Sequence, residues 1–91
     1  MNNKEAEELS ILLMQITAKL DQSVKFVMDK DSTENFESYK SNVGKAMGDL
    51  YLEVLQPLWE KYPDLKPEQM GGTYKVNPEI YKPHFYTQTK T

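Results

Sequence analysis

The stretch VGKAMGDLYLEVLQPLW, residues Val43–Trp59, decides how the rest of the chain is read. It is the most apolar segment of the 91 residues, its spacing is helical, and its apolar residues fall on more than one face. Gly44, Gly48 and the internal Pro57 oppose a helix locally, by about 1 kcal/mol for each glycine and about 3 for the proline. A local penalty of roughly 5 kcal/mol has to be offset by tertiary packing, with a second chain as a natural contributor.

Working outward, the spacing predicts a helix over 33–62. Its main stripe is Phe36, Tyr39, Val43, Met47, Leu50, Val54 and Leu58. A second stripe runs beside it, through Ser41, Gly44, Gly48, Tyr51, Leu55, Trp59 and Tyr62; its first half is small, its second half large and mostly aromatic. The opposite face, including Asp49, Glu53 and Glu60, is polar and must meet water.

Upstream, 3–29 reads as another long helix. Asn2 and Glu5 occupy the places of a capping box. Ala6, Leu9, Leu13, Ile16, Leu20, Ser23 and Val27 keep the alternating three- and four-residue spacing of a seam, which only Ser23 interrupts. The polar break DKDSTEN at 29–35 offers Asp31 or Ser32 as the next cap. A short connection between two amphipathic helices makes an antiparallel hairpin. Folding about it sets Val27 near Phe36, Leu20 near Val43, Leu13 near Leu50 and Leu9 near Val54.

One hairpin cannot cover both stripes, and a soluble monomer rarely leaves so large an apolar strip bare. The expected fold is therefore all-α: an antiparallel two-helix hairpin over 1–62, dimerising into a four-helix bundle. Its dimer or packing face is Gly44, Gly48, Tyr51, Leu55 and Trp59. Ser41, Gly44 and Gly48 would form a shallow groove open to a helix or an aromatic side chain. Beyond Tyr62-Pro63, residues 63–91 form an irregular tail punctuated by prolines, with a Gly71-Gly72 hinge. Single-turn helices are expected at Pro67–Met70 and Pro78–Tyr81. Tyr74, Tyr81, Phe85 and Tyr86 are too many aromatics for a free linker, so the tail should pack on the hairpin or on a partner subunit.

Composition narrows the function classes. A chain this short buries only about 60–65% of its unfolded surface, and small helical domains often gain core by oligomerising. There is no cysteine, which removes disulfides and thiolate metal sites and fits a reducing compartment. Net charge is −3. Residues 31–62 hold six carboxylates against three lysines, whereas 63–91 hold three against four. There is no arginine, the residue whose fork grips phosphates and guanine edges, so nucleic acid is not an expected partner. The acidic start MNNKEAEEL is unlike a secretory signal. The longest early apolar run, Ile11–Met14, falls far short of the ~20 residues of a spanning helix. A cytoplasmic protein without membrane association is the expectation.

Residues able to carry chemistry are scattered. His84 is the only histidine and sits between Pro83 and Phe85. Glu-x-x-His pairs of the di-iron kind are absent. Asp49 and Glu53 lie one turn apart but nothing in the sequence buries them. Asp29, Asp31 and Glu34 lack the spacing of a calcium loop, and GGTYK at 71–75 follows no strand, as a phosphate loop would. No catalytic residue, cofactor site or metal site is assigned. Trp59, Tyr51 and Tyr62 border the acidic face, the kind of setting in which interface hot spots form.

From about Leu9 to Pro67 the plan resembles the small acidic immunity proteins that protect bacteria from their own type VI secretion toxins. The resemblance rests on the long first helix, the acidic turn DKDSTENF, the second helix SYKSNVGKAMGDLYLEVL and the exit KYPDLKP. The aromatic tail departs from that pattern. The resemblance implies a cytosolic two-helix hairpin that dimerises and binds a toxin through an acidic surface, here Asp49, Glu53 and Glu60. The leading expectation is thus a non-enzymatic interaction module, a homodimer with a basic protein such as a toxin as partner. The alternatives are a regulatory or adaptor protein holding a partner peptide, or a small ligand-binding protein or enzyme. A buried polar cavity containing His84, between hairpin and tail, would mark the last.

Overall fold

The computed structural model describes residues 1–87. Helix α1 spans Asn3–Lys30, and at 28 residues it is about 42 Å long, which sets the longest dimension of the molecule, 45 Å. Asn2 caps it as the sequence predicts: its side chain accepts from the Glu5 N–H at 2.8 Å, and its own N–H reaches the Glu5 carboxylate at 2.8 Å. Helix α2 spans Thr33–Leu50, with Ser32 as its N-cap, accepting from the Asn35 N–H at 3.2 Å. Asp31 instead accepts from the Asn35 side chain and the Ser32 N–H, two bonds that hold its carboxyl below the usual carboxylate range. The two helices form the antiparallel hairpin.

The second rod is not a single α-helix. A π-helical turn occupies Tyr51–Leu55, and α3 resumes at Gln56–Lys61. Pro57 is the physical reason. It has no N–H to donate to the Glu53 carbonyl, and its ring crowds that carbonyl in a regular helix. The widened turn relieves this, with the Gln56 N–H bonding back five residues to Tyr51. One additional residue in a turn rotates everything after it by about 100° relative to a regular helix.

That rotation corrects the predicted pairing. Val54, expected in the seam opposite Leu9, is 43% exposed, whereas Leu55 and Trp59, assigned to the second stripe, are each 3% exposed. The two stripes of the sequence are two halves of one seam. It starts as Phe36, Tyr39, Val43 and Met47 and continues as Tyr51, Leu55, Trp59 and Tyr62, all buried or half-buried. Ser23 has a place in it, accepting from the Tyr39 hydroxyl at 2.9 Å while donating to the Leu20 carbonyl at 2.6 Å.

The compact core lies at the open end of the hairpin. Ala6, Leu13, Met14, Leu55, Trp59 and Leu65 cluster there. Buried Ser10 accepts the Trp59 indole N–H at 3.0 Å. The tail supplies Leu65 through a 3-10 turn at Pro63–Leu65. Two further 3-10 turns, Glu68–Met70 and Pro78–Tyr81, fall where the sequence placed single turns, the second capped by Asn77.

The Gly71-Gly72 pair is a folded corner rather than a hinge. Gly71 adopts φ +89°, and Gly72 lies so close to the Lys66 carbonyl that any Cβ there would collide with it. The corner is closed by Gly72 N–H to Pro67 O at 2.9 Å and Tyr74 N–H to Lys66 O at 2.9 Å. Pro67 and Tyr74 make an isolated bridge, and among the described residues there is no β-strand.

The tail then runs alongside α1, in the same direction. Tyr74 donates to Glu7, Gln15 to the Ile80 carbonyl, and Lys19 to the Pro83 carbonyl; Gln22 accepts from the Phe85 and Tyr86 N–H groups, and Asp29 from the Tyr86 hydroxyl. Phe26 packs against Phe85 and edge-on against Tyr86, at centroid distances of 5.5 and 5.2 Å. Helix α1 is thus a middle layer between the second rod and its own tail.

The shifted phase is directly measurable. Leu55→Ala is expected to cost about 2–5 kcal/mol and Val54→Ala less than about 1 in denaturant unfolding. An unbroken α-helix through Pro57 predicts the reverse order.

Candidate functional site

Between the three layers lies a trough of about 720 Å³. Met14, Thr17, Ala18, Asp21, Gln22 and Lys25 form the α1 wall, and Met47, Tyr51, Leu55 and Trp59 the wall of the second rod. Val76, Tyr81, His84 and Tyr86 close it from the tail. The π turn makes the second wall, because it brings Tyr51, Leu55 and Trp59 into line with Met47. Trp59 lies at the base with its indole N–H tied to Ser10, and Tyr51 meets it edge-on at 6.1 Å.

Chemical character changes along the trough. At the Met14 end the walls are Leu55, Trp59, Val76 and Tyr81. At the far end stand Asp21, Gln22, Lys25 and His84. Asp21 is paired with Lys25 at 3.6 Å, an exposed pair one helical turn apart and worth only a few tenths of a kcal/mol. The Tyr51 and Tyr81 hydroxyls and the exposed His84 ring make no hydrogen bond among the described residues.

The sequence-predicted dimer face is divided. Tyr51, Leu55 and Trp59 come together on the trough wall. Gly44 and Gly48 are exposed, and among the described residues a Cβ added to either would meet nothing within 4 Å. Asp49, Glu53 and Glu60 are all exposed, and among the described residues none has an ion-pair partner.

On the far side of the hairpin a second apolar surface remains. Leu12 is 49% and Ile16 40% exposed on α1, and the displaced Val54 is 43% exposed on the second rod. A shallow notch of about 440 Å³ continues it between Ile16, Leu20 and Ser23 on α1 and Pro83 and Phe85 of the tail.

Sequence reasoning missed the convergence of Met14, Ala18, Asp21 and Lys25 with Val76, Tyr81 and His84. The only signal was the aromatic content of the tail, which shows that it packs without showing where. Among the described residues no three His, Asp or Glu side chains are grouped to hold a metal ion, and no helix is long and apolar enough to cross a membrane. Comparison with family models, curated proteins and solved structures gives no match.

The bond that fixes the tail beside the trough is sensitive to alkali. Tyr74 donates to the Glu7 carboxylate at 2.7 Å; that bond, with partial burial and the carboxylate charge, pushes the phenol up to about 12. An unfolded tyrosine titrates near 10. A raised folded-state pKa means the stabilisation is complete below about pH 10 and lost as pH climbs from there to about 12. Tyr74→Phe is expected to cost about 1 kcal/mol at pH 8. Denaturant curves across that alkaline window should show native chain and variant converging.

Proposed function

We propose that this chain is a non-enzymatic interaction module that works as a homodimer, hairpin against hairpin. The carrying observation is the uncovered apolar surface of Leu12, Ile16 and Val54, left bare although the tail already covers another side of α1. A stable interface buries about 800 Å² on each partner, and in a homodimer Leu12, Ile16 and Val54 would be the apolar centre of that area.

Charge placement favours the same occupant. With α1 packed antiparallel on its copy about Leu12 and Ile16, Glu8 of one chain lies level with Lys19 of the other. Neither has an ion-pair partner within its own chain among the described residues. Two hairpins so joined form a four-helix bundle. The non-enzymatic reading is supported by the separation of the reactive side chains: Ser10 is buried against Trp59, and His84 stands exposed on the tail.

A basic protein is the partner that the acidic surface favours, since Asp49, Glu53 and Glu60 are exposed without intramolecular cations. Neutralisation of a toxin, within a bacterial cytoplasm, is the most specific form of this reading.

Light scattering at micromolar concentration is expected to give twice the 10.6 kDa chain mass, and Ile16→Glu to give the monomer with its helicity intact. A native chain that stays monomeric at a hundred times that concentration would overturn the dimer. For the acidic surface, reversing Asp49, Glu53 and Glu60 to Lys should abolish salt-sensitive capture of a basic protein from the native cytosol. If that protein is a toxin, co-expression with the unaltered chain restores growth.

A further inference from the structure

We infer that the trough between the hairpin and its tail is a binding site for an apolar monocarboxylate, an amphiphile of the fatty-acid kind. The trough opens on a different flank of α1 from Leu12 and Ile16, with His84 of the tail bordering both the trough and the notch beside Ile16.

Size and shape set the class. A volume of about 720 Å³ falls within the range of small-molecule sites. From Met14 to Lys25 the α1 wall rises about 16 Å, so the space is elongated. One end is apolar, with Trp59 and Leu55 at its base, and the charged groups are confined to the other. A ligand matched to this gradient has a long apolar body and one polar head.

Hydrogen-bonding capacity selects the head. The trough offers several side-chain donors, the Tyr51 and Tyr81 hydroxyls, the His84 ring, and the Gln22 and Gln69 amide nitrogens, and among the described residues the Lys25 ammonium is its one fixed cation. Gln22 has already committed its oxygen to the Phe85 and Tyr86 N–H groups. Asp21 is the one carboxylate on the walls, and it is taken up by Lys25 at 3.6 Å. That exposed pair is weak enough to exchange for a ligand anion, which gains charge-assisted bonds from Lys25 and His84. Among the described residues a cationic head would find a single carboxylate, Asp21, with the Lys25 ammonium beside it and opposing the added charge.

The test uses the full chain and dodecanoate below its micellar concentration, with dodecanol and dodecylamine as comparisons. Trp59 is the only tryptophan, so its emission reports occupancy of the apolar end. Dodecanoate is expected to give a saturable change and to bind more tightly than the other two. Lys25→Gln combined with His84→Gln should weaken dodecanoate by about tenfold, the usual scale for losing a charge-assisted bond, and leave dodecanol unaffected. Ala18→Phe, which fills the trough from a half-buried position, should abolish binding with the circular dichroism unchanged. Leu12→Glu, at an exposed position that borders neither the trough nor the notch, should leave it intact. No saturable change with dodecanoate, equal or tighter binding of dodecylamine, or undiminished binding to Ala18→Phe would each overturn the proposal.

Discussion

A single missing hydrogen-bond donor shapes this molecule. Pro57 cannot serve the Glu53 carbonyl, and the second rod accommodates that by widening into a π turn at Tyr51–Leu55 rather than by breaking. The rotation this introduces carries Leu55 and Trp59 into the seam and turns Val54 out of it. Both surfaces of interest descend from that step. The trough gains its Tyr51–Leu55–Trp59 wall, and the far side of the hairpin gains an apolar residue that has no cover.

The core is correspondingly lopsided. Its buried side chains gather at the open end of the hairpin, around the Trp59–Ser10 bond, while α2 contributes no fully buried residue. Near the connecting loop the helices are joined by half-buried side chains and the Tyr39–Ser23 bond. The tail compensates by adding a third layer. It does so both through hydrogen bonds to α1 side chains, Glu7, Gln15, Lys19, Gln22 and Asp29, and by packing Leu65, Tyr74, Val76, Ile80 and Tyr81 on the core.

Much of the plan was legible in the residues. The Asn2–Glu5 capping box, the Ser32 cap, the two long helices and the single turns at the tail prolines all follow from local chemistry that a sequence displays directly. The phase of the second rod was not legible. Pro57 announces a disturbance, but a break, a kink and a widened turn satisfy its missing donor equally well. Only the burial of Leu55 and Trp59 selects among them. The course of the tail was hidden for another reason. Its partners on α1 are polar residues with no hydrophobic period, so Gln15 and Gln22 look like ordinary surface. The trough depends on both hidden features, and its composition could not be assembled from either segment alone.

Because α1 is the central layer, it is made before either of the layers that cover it. During synthesis Ala6, Ser10 and Leu13 leave the ribosome well before Trp59 and Leu65, the residues that shield them. At about 5–20 residues per second, that wait lasts several seconds. The nascent chain therefore presents a long unprotected amphipathic rod until the residues that cover it have been made, and Trp59 and Leu65 close the core only then.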